Sequence, residues 1–182
     1  ETADMDEEAA ARATIESLLE NGHDAIFGAI FWCALLGAPG AIAFRLANTL
    51  DAMWGYRNAR FLSFGWAAAR FDDAMGFMPA RLTALGYALV GRTRRSLACW
   101  WAQAPAWSSP NAGPVMAAGA GALSLKLGGE AVYEGEIEAR PTLGEGKPAQ
   151  ADDISRAIGL ISRSLALWLA LIGFADVLFL VS

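Results

Sequence analysis

The stretch Ala25–Phe44, AIFGAIFWCALLGAPGAIAF, holds 20 residues without a charge and decides the fold class of this chain. About 20 apolar residues are enough for a helix to cross the hydrocarbon core of a bilayer. The sequence GAPG at 37–40 interrupts the run, and Pro with Gly kinks or ends a helix. The run therefore predicts either a kinked membrane span or a re-entrant hairpin that returns to its own side.

The composition of the whole chain fits the same fold class. Of the 182 residues, 55% are hydrophobic and 18% are charged, whereas an average globular chain carries roughly 25% charged residues. We predict one all-α domain over 1–182: a helical integral membrane protein with broken or re-entrant helices. An all-helical soluble bundle is the alternative, since the apolar runs are short and broken. Because the chain begins with Glu1 and not with Met, we expect it to be part of a longer polypeptide.

The charges are unevenly distributed along the chain. Eight of the 19 acidic residues precede Ala25, whereas the segment 45–95 holds eight arginines and three aspartates. Basic segments between membrane helices favour the cytoplasmic side. No basic stripe with interleaved aromatic residues occurs, so nucleic acid is not an expected partner.

The remaining elements follow from hydrophobic periodicity and from Pro and Gly positions. The pattern predicts a helix over 4–21, a helix-turn-helix over 48–73 with its turn at 55–57, a helix from Pro79 to Val90, a proline-broken apolar segment over 96–125, a polar loop or small hairpin over 127–150, and a last helix from Asp152 that includes a second spanning candidate, 164–182. We expect both cysteines, Cys33 and Cys99, to be small buried hydrophobic residues.

Charged and amide side chains in the run 48–73 lie among Trp and Phe residues. A charge at membrane depth is costly unless it is paired or hydrated, so this run is either a binding or catalytic site or a basic juxtamembrane loop tied by salt bridges. A second acidic cluster lies at 16–24. Carboxylate oxygens suit Mg²⁺, and Arg57, Arg60 and Arg70 could contact phosphates or carboxylates in a bidentate manner.

The sequence contains none of the standard catalytic signatures, such as a phosphate-binding loop, a dinucleotide-binding glycine pattern, a metalloprotease histidine pair or a nucleophile elbow. The single histidine is His23. A lone histidine more often packs against or caps other elements than catalyses a reaction, so it is not taken as a site residue.

Eight ordered strings add information that spacing does not contain: ESLLENGHDAIFGAIF, GAPGAIAFRLANTLDAMWGYRN, FGWAAARFDD, PARLTAL, SPNAG, LGG, RPTLG and DDISRA. Together they resemble the adenosylcobinamide-phosphate synthase family, the CobD/CbiB cobalamin biosynthesis proteins, over essentially the whole chain. The resemblance implies a membrane enzyme of the corrin pathway, of which this chain is expected to be the C-terminal portion. It also implies ATP-dependent amide ligation of aminopropanol or aminopropanol phosphate to cobyric acid, which gives cobinamide or its phosphate.

The resemblance carries over residue by residue to the family's motif positions. These are Glu16, Glu20, Asn21, Asp24, Asn48, Asp51, Tyr56, Arg57, Arg70, Asp72, Asp73, Ser109, Asn111, Gly128 and Gly129. Where the family usually has a Thr-Ser pair, this chain has Gly22 and His23. A string of Trp, Pro and Glu after SPNAG is also replaced here, which leaves the role of the residues after Gly113 open.

The expected mechanism activates the corrin carboxylate as an acyl phosphate. The predicted catalytic residues are Asp51, Asp72, Asp73, Arg57 and Arg70, with the three aspartates as Mg²⁺ ligands or base and the arginines as phosphate or carboxylate clamps. The predicted substrate-binding residues are Asn48, Tyr56, Trp54, Trp66, Asn111, Ser109, Glu20, Asn21 and Asp24. ATP and Mg²⁺ are expected, with no tightly bound cofactor.

The expected location is the cell inner membrane, with several spans and the site on the cytoplasmic side. If 25–44 crosses once, the acidic cluster before it cannot share the site with 48–73, whereas a re-entrant hairpin brings the two together, which we favour. Expected partners are the corrinoid, aminopropanol or its phosphate, and membrane lipid. Other corrin-pathway enzymes and a homo-oligomer stay open. The alternative functions are a related AmpE-type membrane signalling protein without ligase activity and a structural membrane scaffold.

Overall fold

The computed structural model of the chain describes residues 7–54, 62–133 and 136–181. Helices dominate the described part, with a three-stranded sheet before the last helix. In chain order the elements are α1 (Glu7–Asn21), a π-helical turn (Gly22–Phe27), α2 (Gly28–Trp54), α3 (Leu62–Val90), α4 (Thr93–Gln103), a 3-10 turn (Ala104–Ala106), α5 (Ala112–Leu123), β1 (Leu125–Tyr133), β2 (Glu136–Leu143), β3 (Lys147–Pro148) and α6 (Ala151–Val181).

Helix α2 is a hairpin of two helical arms. Gly37 at the bend has φ 68° and ψ −160°, a left-handed conformation that glycine adopts without steric cost. Beyond the bend, Arg45 Nη1 donates a hydrogen bond of 3.0 Å to the backbone oxygen of Asp24, 21 residues earlier. A straight helix would separate these residues by about 30 Å. The chain therefore folds back on itself at Gly37, as a hairpin does, and is not one straight helix.

Helix α5 forms the centre of the core, and all twelve of its residues are buried. Its small residues let neighbouring helices approach closely. A Cβ on Gly119 would lie 2.7 Å from Leu19 Cδ1 of α1, and one on Gly121 would lie 2.8 Å from backbone atoms of α4. Neighbouring helices therefore pack closely around this Ala/Gly-rich helix.

Proline 79 does not begin a helix, contrary to the sequence-based expectation, because α3 runs without interruption from Leu62 to Val90. A proline inside a helix has no N–H for the carbonyl four residues earlier. Here that carbonyl belongs to Met75, and it accepts a 2.9 Å hydrogen bond from the indole Nε1 of Trp32 in the first arm of α2. The tertiary contact replaces the missing helical bond, so the helix continues.

The all-α prediction is wrong in one region. Within the predicted polar loop 127–150, β1 pairs with β2 antiparallel and with β3 in parallel. The hairpin that the sequence left as the alternative is thus present. Gly128 and Gly129 have φ values of 70° and 77°, and the register shifts between Gly128 and Glu130. This bulge lets the strand bend where it meets α1.

Two helical stretches, Glu7–Trp54 and Ala151–Leu178, are long and apolar enough to cross a membrane by length and composition. Only 17% of the most apolar window of each is buried inside the fold. Large apolar side chains such as Leu35, Leu36 and Phe174 are exposed there, a pattern compatible with a membrane protein. Cys33 is exposed on the same surface, so its predicted burial is wrong, whereas the burial of Cys99 is confirmed.

Candidate active site

A cavity of about 420 Å³ opens where the α2 hairpin, α3 and the loop before α5 meet. Five carboxylates contribute to its wall: Glu20, Asp24, Asp51, Asp72 and Asp73. Its other polar lining residues are His23, Asn48, Ser108, Ser109 and Asn111. No arginine or lysine lines it among the described residues. The cavity thus presents oxygen acceptors and a negative potential.

The first wall comes from the folded-back chain of α2. The π-helical turn presents His23 and Asp24, and the second arm of the hairpin presents Asn48. Arg45 joins the arms, since its Nη1 donates to the Asp24 backbone oxygen at 3.0 Å and to Asn48 Oδ1 at 3.4 Å. The reversal at Gly37 is what brings the predicted acidic cluster before residue 25 next to the run 48–73.

The opposite wall is held by Asn111. Its Nδ2 donates a 2.9 Å hydrogen bond to the backbone oxygen of Asp73, and its Oδ1 accepts one of 3.1 Å from Arg81 Nη1. A Cβ on Gly76 would lie 2.5 Å from Asn111 Nδ2, so only glycine leaves room for this contact. Asn111 therefore fixes the loop against α3 as well as lining the cavity.

Ser109 organises the loop that enters α5. Its Oγ accepts hydrogen bonds from the backbone N–H groups of Asn111, at 3.3 Å, and Ala112, at 3.1 Å. These two N–H groups lie at the helix start, where backbone donors have no intrahelical partner. The SPN string thus has a structural reason that is independent of substrate binding.

Asp72 has the most unusual carboxylate of the wall that α3 forms. Its Oδ1 is buried and has no hydrogen-bond partner among the described residues. Burial, and then the negative charges of Asp51 and Asp73, raise the pKa of Asp72 to about 6, against the opposing effect of the Asn48 amide. A carboxylate that has one buried oxygen without a partner and a destabilised charged form is typical of a functional site.

His23 also lines this cavity, although the sequence interpretation left it out of the site. Its side chain is almost completely buried, with Nδ1 3.4 Å from Thr83 Oγ1 and Nε2 3.6 Å from Asp24 Oδ1. The signal that could have found it is position, since it stands between two predicted site residues, Asn21 and Asp24. Ser108 was also missed and has only its adjacency to Ser109 as a signal.

The structure separates the predicted site residues into three groups. Those that line the cavity are Glu20, Asp24, Asn48, Asp51, Asp72, Asp73, Ser109 and Asn111. Those that do not line it are Asn21, Trp54, Trp66 and Arg70. Tyr56 and Arg57 lie outside the described residues.

The second group has other contacts. Asn21 donates to Ser17 Oγ on the exposed side of α1, and Trp54 packs edge-to-face on Phe64. Trp66 is 64% exposed. Arg70 reaches Asp73 Oδ2 at 3.5 Å from outside the cavity. Any contact of these residues with a large substrate would be made at the rim.

The remaining motif positions serve the fold. Glu16 Oε1 accepts a 2.6 Å hydrogen bond from the backbone N–H of Gly128, and its Oε2 pairs with Arg140 at 3.0 Å. Arg140 Nε donates to the backbone oxygen of Gly129 at 3.4 Å. These contacts fasten the β-hairpin to α1 and give each carboxylate oxygen of Glu16 a partner within the fold.

The described residues contain no group of three His, Cys, Asp or Glu side chains arranged to hold a metal ion. Mg²⁺ commonly uses only one or two carboxylates and takes its other ligands from water and substrate phosphates. The unpaired oxygen of Asp72, with Asp51 and Asp73 beside it, fits that mode of binding. The predicted Mg²⁺ site therefore stays a prediction that requires a phosphate ligand.

Comparison with known proteins places these observations in a family. A cobalamin biosynthesis protein CobD of Stutzerimonas stutzeri is 59% identical over 98% of this chain and 59% of its own length. One of Chromobacterium violaceum is 60% identical over 94% of this chain and 55% of its own. One of Mycobacterium tuberculosis is 44% identical over 82% and 49%. The chain thus spans about half to three fifths of the length of these relatives.

No solved structure shows a significant match to the chain. The family model described as CobD/Cbib protein matches residues 1–161, which include every residue that lines the cavity. The chain therefore belongs to the CobD/CbiB protein family.

Proposed function

We propose that this protein acts in cobalamin biosynthesis and forms the amide bond between cobyric acid and aminopropanol or aminopropanol phosphate. The observation that carries the proposal is the acidic cavity, because four separate family strings build it from the end of α1 with the π-helical turn, the second arm of α2, α3 and the loop before α5. The names of the relatives support the pathway.

The cavity suits the amine half of such a reaction. An amine reaches the site as an ammonium ion and becomes a nucleophile only after it loses a proton. Carboxylates attract the ammonium ion, and a carboxyl group with a pKa near 6, as at Asp72, can accept its proton near neutral pH. ATP is expected to supply the phosphoryl group that activates the corrin carboxylate. The nitrogen–carbon bond then forms as the bond from carbon to phosphate oxygen breaks.

The same wall suits a phosphate-linked Mg²⁺ ion. Asp51 and Asp73 would hold it together with phosphate oxygens, with Asp72 left as the base, since no basic side chain of the described residues lines the cavity to balance phosphate charge. Arg70 beside Asp73, and Arg57 outside the described residues, remain the proposed cationic clamps.

The corrin itself must stay largely outside the cavity. A corrin macrocycle with its amide side chains exceeds a volume of about 420 Å³, so only the reacting carboxylate arm enters. Trp66 stands on α3 one turn from Arg70 with 64% of its surface exposed, as required of an aromatic platform at the rim. Tyr56 and Trp54 are proposed for the same role.

We place the protein in the cell inner membrane with this site on the cytoplasmic side. The support is the exposed apolar surface of α2 and α6 together with the arginines of 45–95. In this arrangement the α2 hairpin enters and leaves on one side, so both acidic clusters face the compartment that supplies ATP.

The test is a ligation assay with the purified full-length protein in detergent or lipid. Cobyric acid, MgATP and either 1-amino-2-propanol or its phosphate are supplied, and the corrinoid is followed by mass spectrometry. We expect a mass gain equal to the amine minus one water, dependent on both amine and ATP. A folded protein that binds cobyric acid but never ligates would contradict the proposal and favour the AmpE-type alternative.

A further inference from the structure

The two nitrogens of His23 have different environments, which fix the position of its proton. Thr83 Oγ1 donates a 2.8 Å hydrogen bond to the backbone oxygen of Pro79, so the hydroxyl hydrogen is already used. Towards His23 Nδ1, at 3.4 Å, the same oxygen can only accept. The Nδ1 atom therefore carries the hydrogen, and Nε2 of the neutral ring is a bare acceptor.

The unprotonated Nε2 of His23 faces a carboxylate oxygen of Asp24, which is also an acceptor. His23 Nε2 lies 3.6 Å from Asp24 Oδ1, too far for a hydrogen bond, and the described residues give Nε2 no donor. The residue is 2% exposed and lines the cavity, so any partner of Nε2 must be reached from inside the cavity. A ligand N–H group in the cavity would meet an acceptor that no protein donor satisfies among the described residues.

A third acceptor stands on the opposite wall. Asp72 Oδ1 is buried without a partner, and the Asn48 side chain interacts with both Asp24 and Asp72. One amide therefore links the two carboxylates across the cavity, from the π-helical turn to α3. His23, Asp24 and Asp72 together offer three acceptors and no donor to this part of the cavity.

We propose that His23, Asp24 and Asp72 form the subsite for the primary ammonium group of the amine substrate. The inference rests on the proposed function and assigns one part of that site. A primary ammonium group has three N–H donors on a compact charge, which matches three acceptors drawn from two facing walls. Two carboxylates balance its charge, whereas a hydroxyl group in its place would supply only one donor.

A resident metal ion is a poorer occupant of this subsite. The described residues contain no group of three potential ligands with metal-holding geometry. His23 is then a positioning and binding residue whose role depends on Nε2 as an acceptor.

The test measures binding of 1-amino-2-propanol to the full-length protein by calorimetry, without ATP or corrinoid. We expect 1,2-propanediol, in which a hydroxyl replaces the ammonium group, to bind at least about 10-fold more weakly, since hydrogen bonds to charged groups are the strong ones. His23→Leu and Asp24→Asn should each weaken amine binding about 10-fold or more. His23→Gln keeps an acceptor oxygen and should restore most of the affinity.

The matched control is Asp152→Asn, an exposed carboxylate at the start of α6 that should leave amine binding unchanged. If His23→Leu fails to fold, two other measurements test the subsite. They are the relative affinities of the wild type for amine and diol, and the affinity of Asp24→Asn for the amine. Equal binding of amine and diol, unchanged affinity in His23→Leu, or competitive displacement of the amine by Mg²⁺ alone would overturn the proposal.

The outcomes separate this inference from the proposed function. Amine binding that depends on His23 and Asp24, in a protein that never ligates cobyric acid, would keep the subsite and contradict the ligase. Ligation by His23→Leu with an unchanged KM for the amine would keep the ligase and contradict the subsite.

Discussion

Two buried acidic regions of this fold differ in how their charge is neutralised. Glu16 and Asp153 are each satisfied by their own neighbours: Glu16 by Arg140 and the Gly128 N–H, and Asp153 by Lys147, Arg156 and the Gln150 N–H. The carboxylates of the cavity have fewer partners: Asp73 meets the exposed Arg70 at 3.5 Å, Asn48 interacts with Asp24 and Asp72, and one oxygen of Asp72 has no partner among the described residues. Both regions contain family motif residues, so motif membership alone does not distinguish them. The number of hydrogen-bond and ion-pair partners thus distinguishes carboxylates that stabilise the fold from carboxylates that are available to a ligand.

The strongest test of this comparison is Asp72→Asn. If Asp72 is an unpaired functional carboxylate, its loss should lower ligation activity by about 100-fold or more, as removal of a general base does, while the protein still folds. The measurement is the rate of corrinoid mass gain, with circular dichroism of the same preparation. Asp152→Asn should keep full activity. An active Asp72→Asn variant would remove Asp72 from the catalytic group.

Arg140→Ala tests the partnered side. It leaves Glu16, 5% exposed, as a buried charge without its ion pair, and we expect a loss of stability of about 3–5 kcal/mol. Thermal or denaturant unfolding followed by tryptophan fluorescence measures it. The double variant Arg140→Met with Glu16→Gln should recover part of the loss, because the unpaired charge is then removed. A loss of stability smaller than that expected for an exposed ion pair would show that the Arg140 pair does not stabilise the fold. Glu16 would then belong with the carboxylates of the cavity.

The pH dependence of stability sharpens the same contrast. The folded protein binds the Asp72 proton more tightly than the unfolded chain, because the pKa rises from 3.8 to about 6. Stability from this group therefore falls as pH rises through that window and stays lower above it. We expect Asp72→Asn to raise the unfolding temperature relative to wild type at pH 7.5 but not at pH 4. If the difference in unfolding temperature between variant and wild type does not change with pH, then folding does not raise the pKa of Asp72.

The smallest effect is expected for Arg70→Ala. Its side chain is 64% exposed and meets Asp73 at 3.5 Å, and an exposed pair of this kind contributes about 0–1 kcal/mol. Unfolding should therefore barely change, and any loss should appear in the KM for the corrinoid or ATP. A large loss of stability would move Asp73 into the class of fold-holding acids.

The bend of α2 was predictable because it depends on local chemistry. Gly37 and Pro39 within an apolar run predict either a kinked helix or a hairpin. The chain folds back at Gly37, as in the hairpin that we favoured. The convergence of residues 20–24 with 48–73 followed from that reading. The placement of Arg57 and Tyr56 stays untested, since both lie outside the described residues.

What the sequence did not reveal depends on contacts between distant segments. Pro79 carries the local signal of a helix start, and only Trp32, 43 residues from Met75, satisfies the carbonyl that lets the helix continue. The strands over 125–148 have polar, Gly-rich sequences without strand periodicity, and they are held by Glu16 and Arg140. His23 looked like a packing residue because burial and cavity lining cannot be distinguished from one position in a sequence.

The hydrogen bond from Trp32 to the Met75 carbonyl also aligns the two walls of the cavity with each other. Trp32 lies two helical turns beyond Asp24 on one wall, and Met75 lies one turn beyond Asp72 on the other. Pro79 leaves the Met75 carbonyl without a helical donor inside the body of α3, so the Trp32 hydrogen bond favours one alignment of the hairpin against that helix. The spacing between Asp24 and Asp72 is thereby set by a residue pair that never touches the cavity.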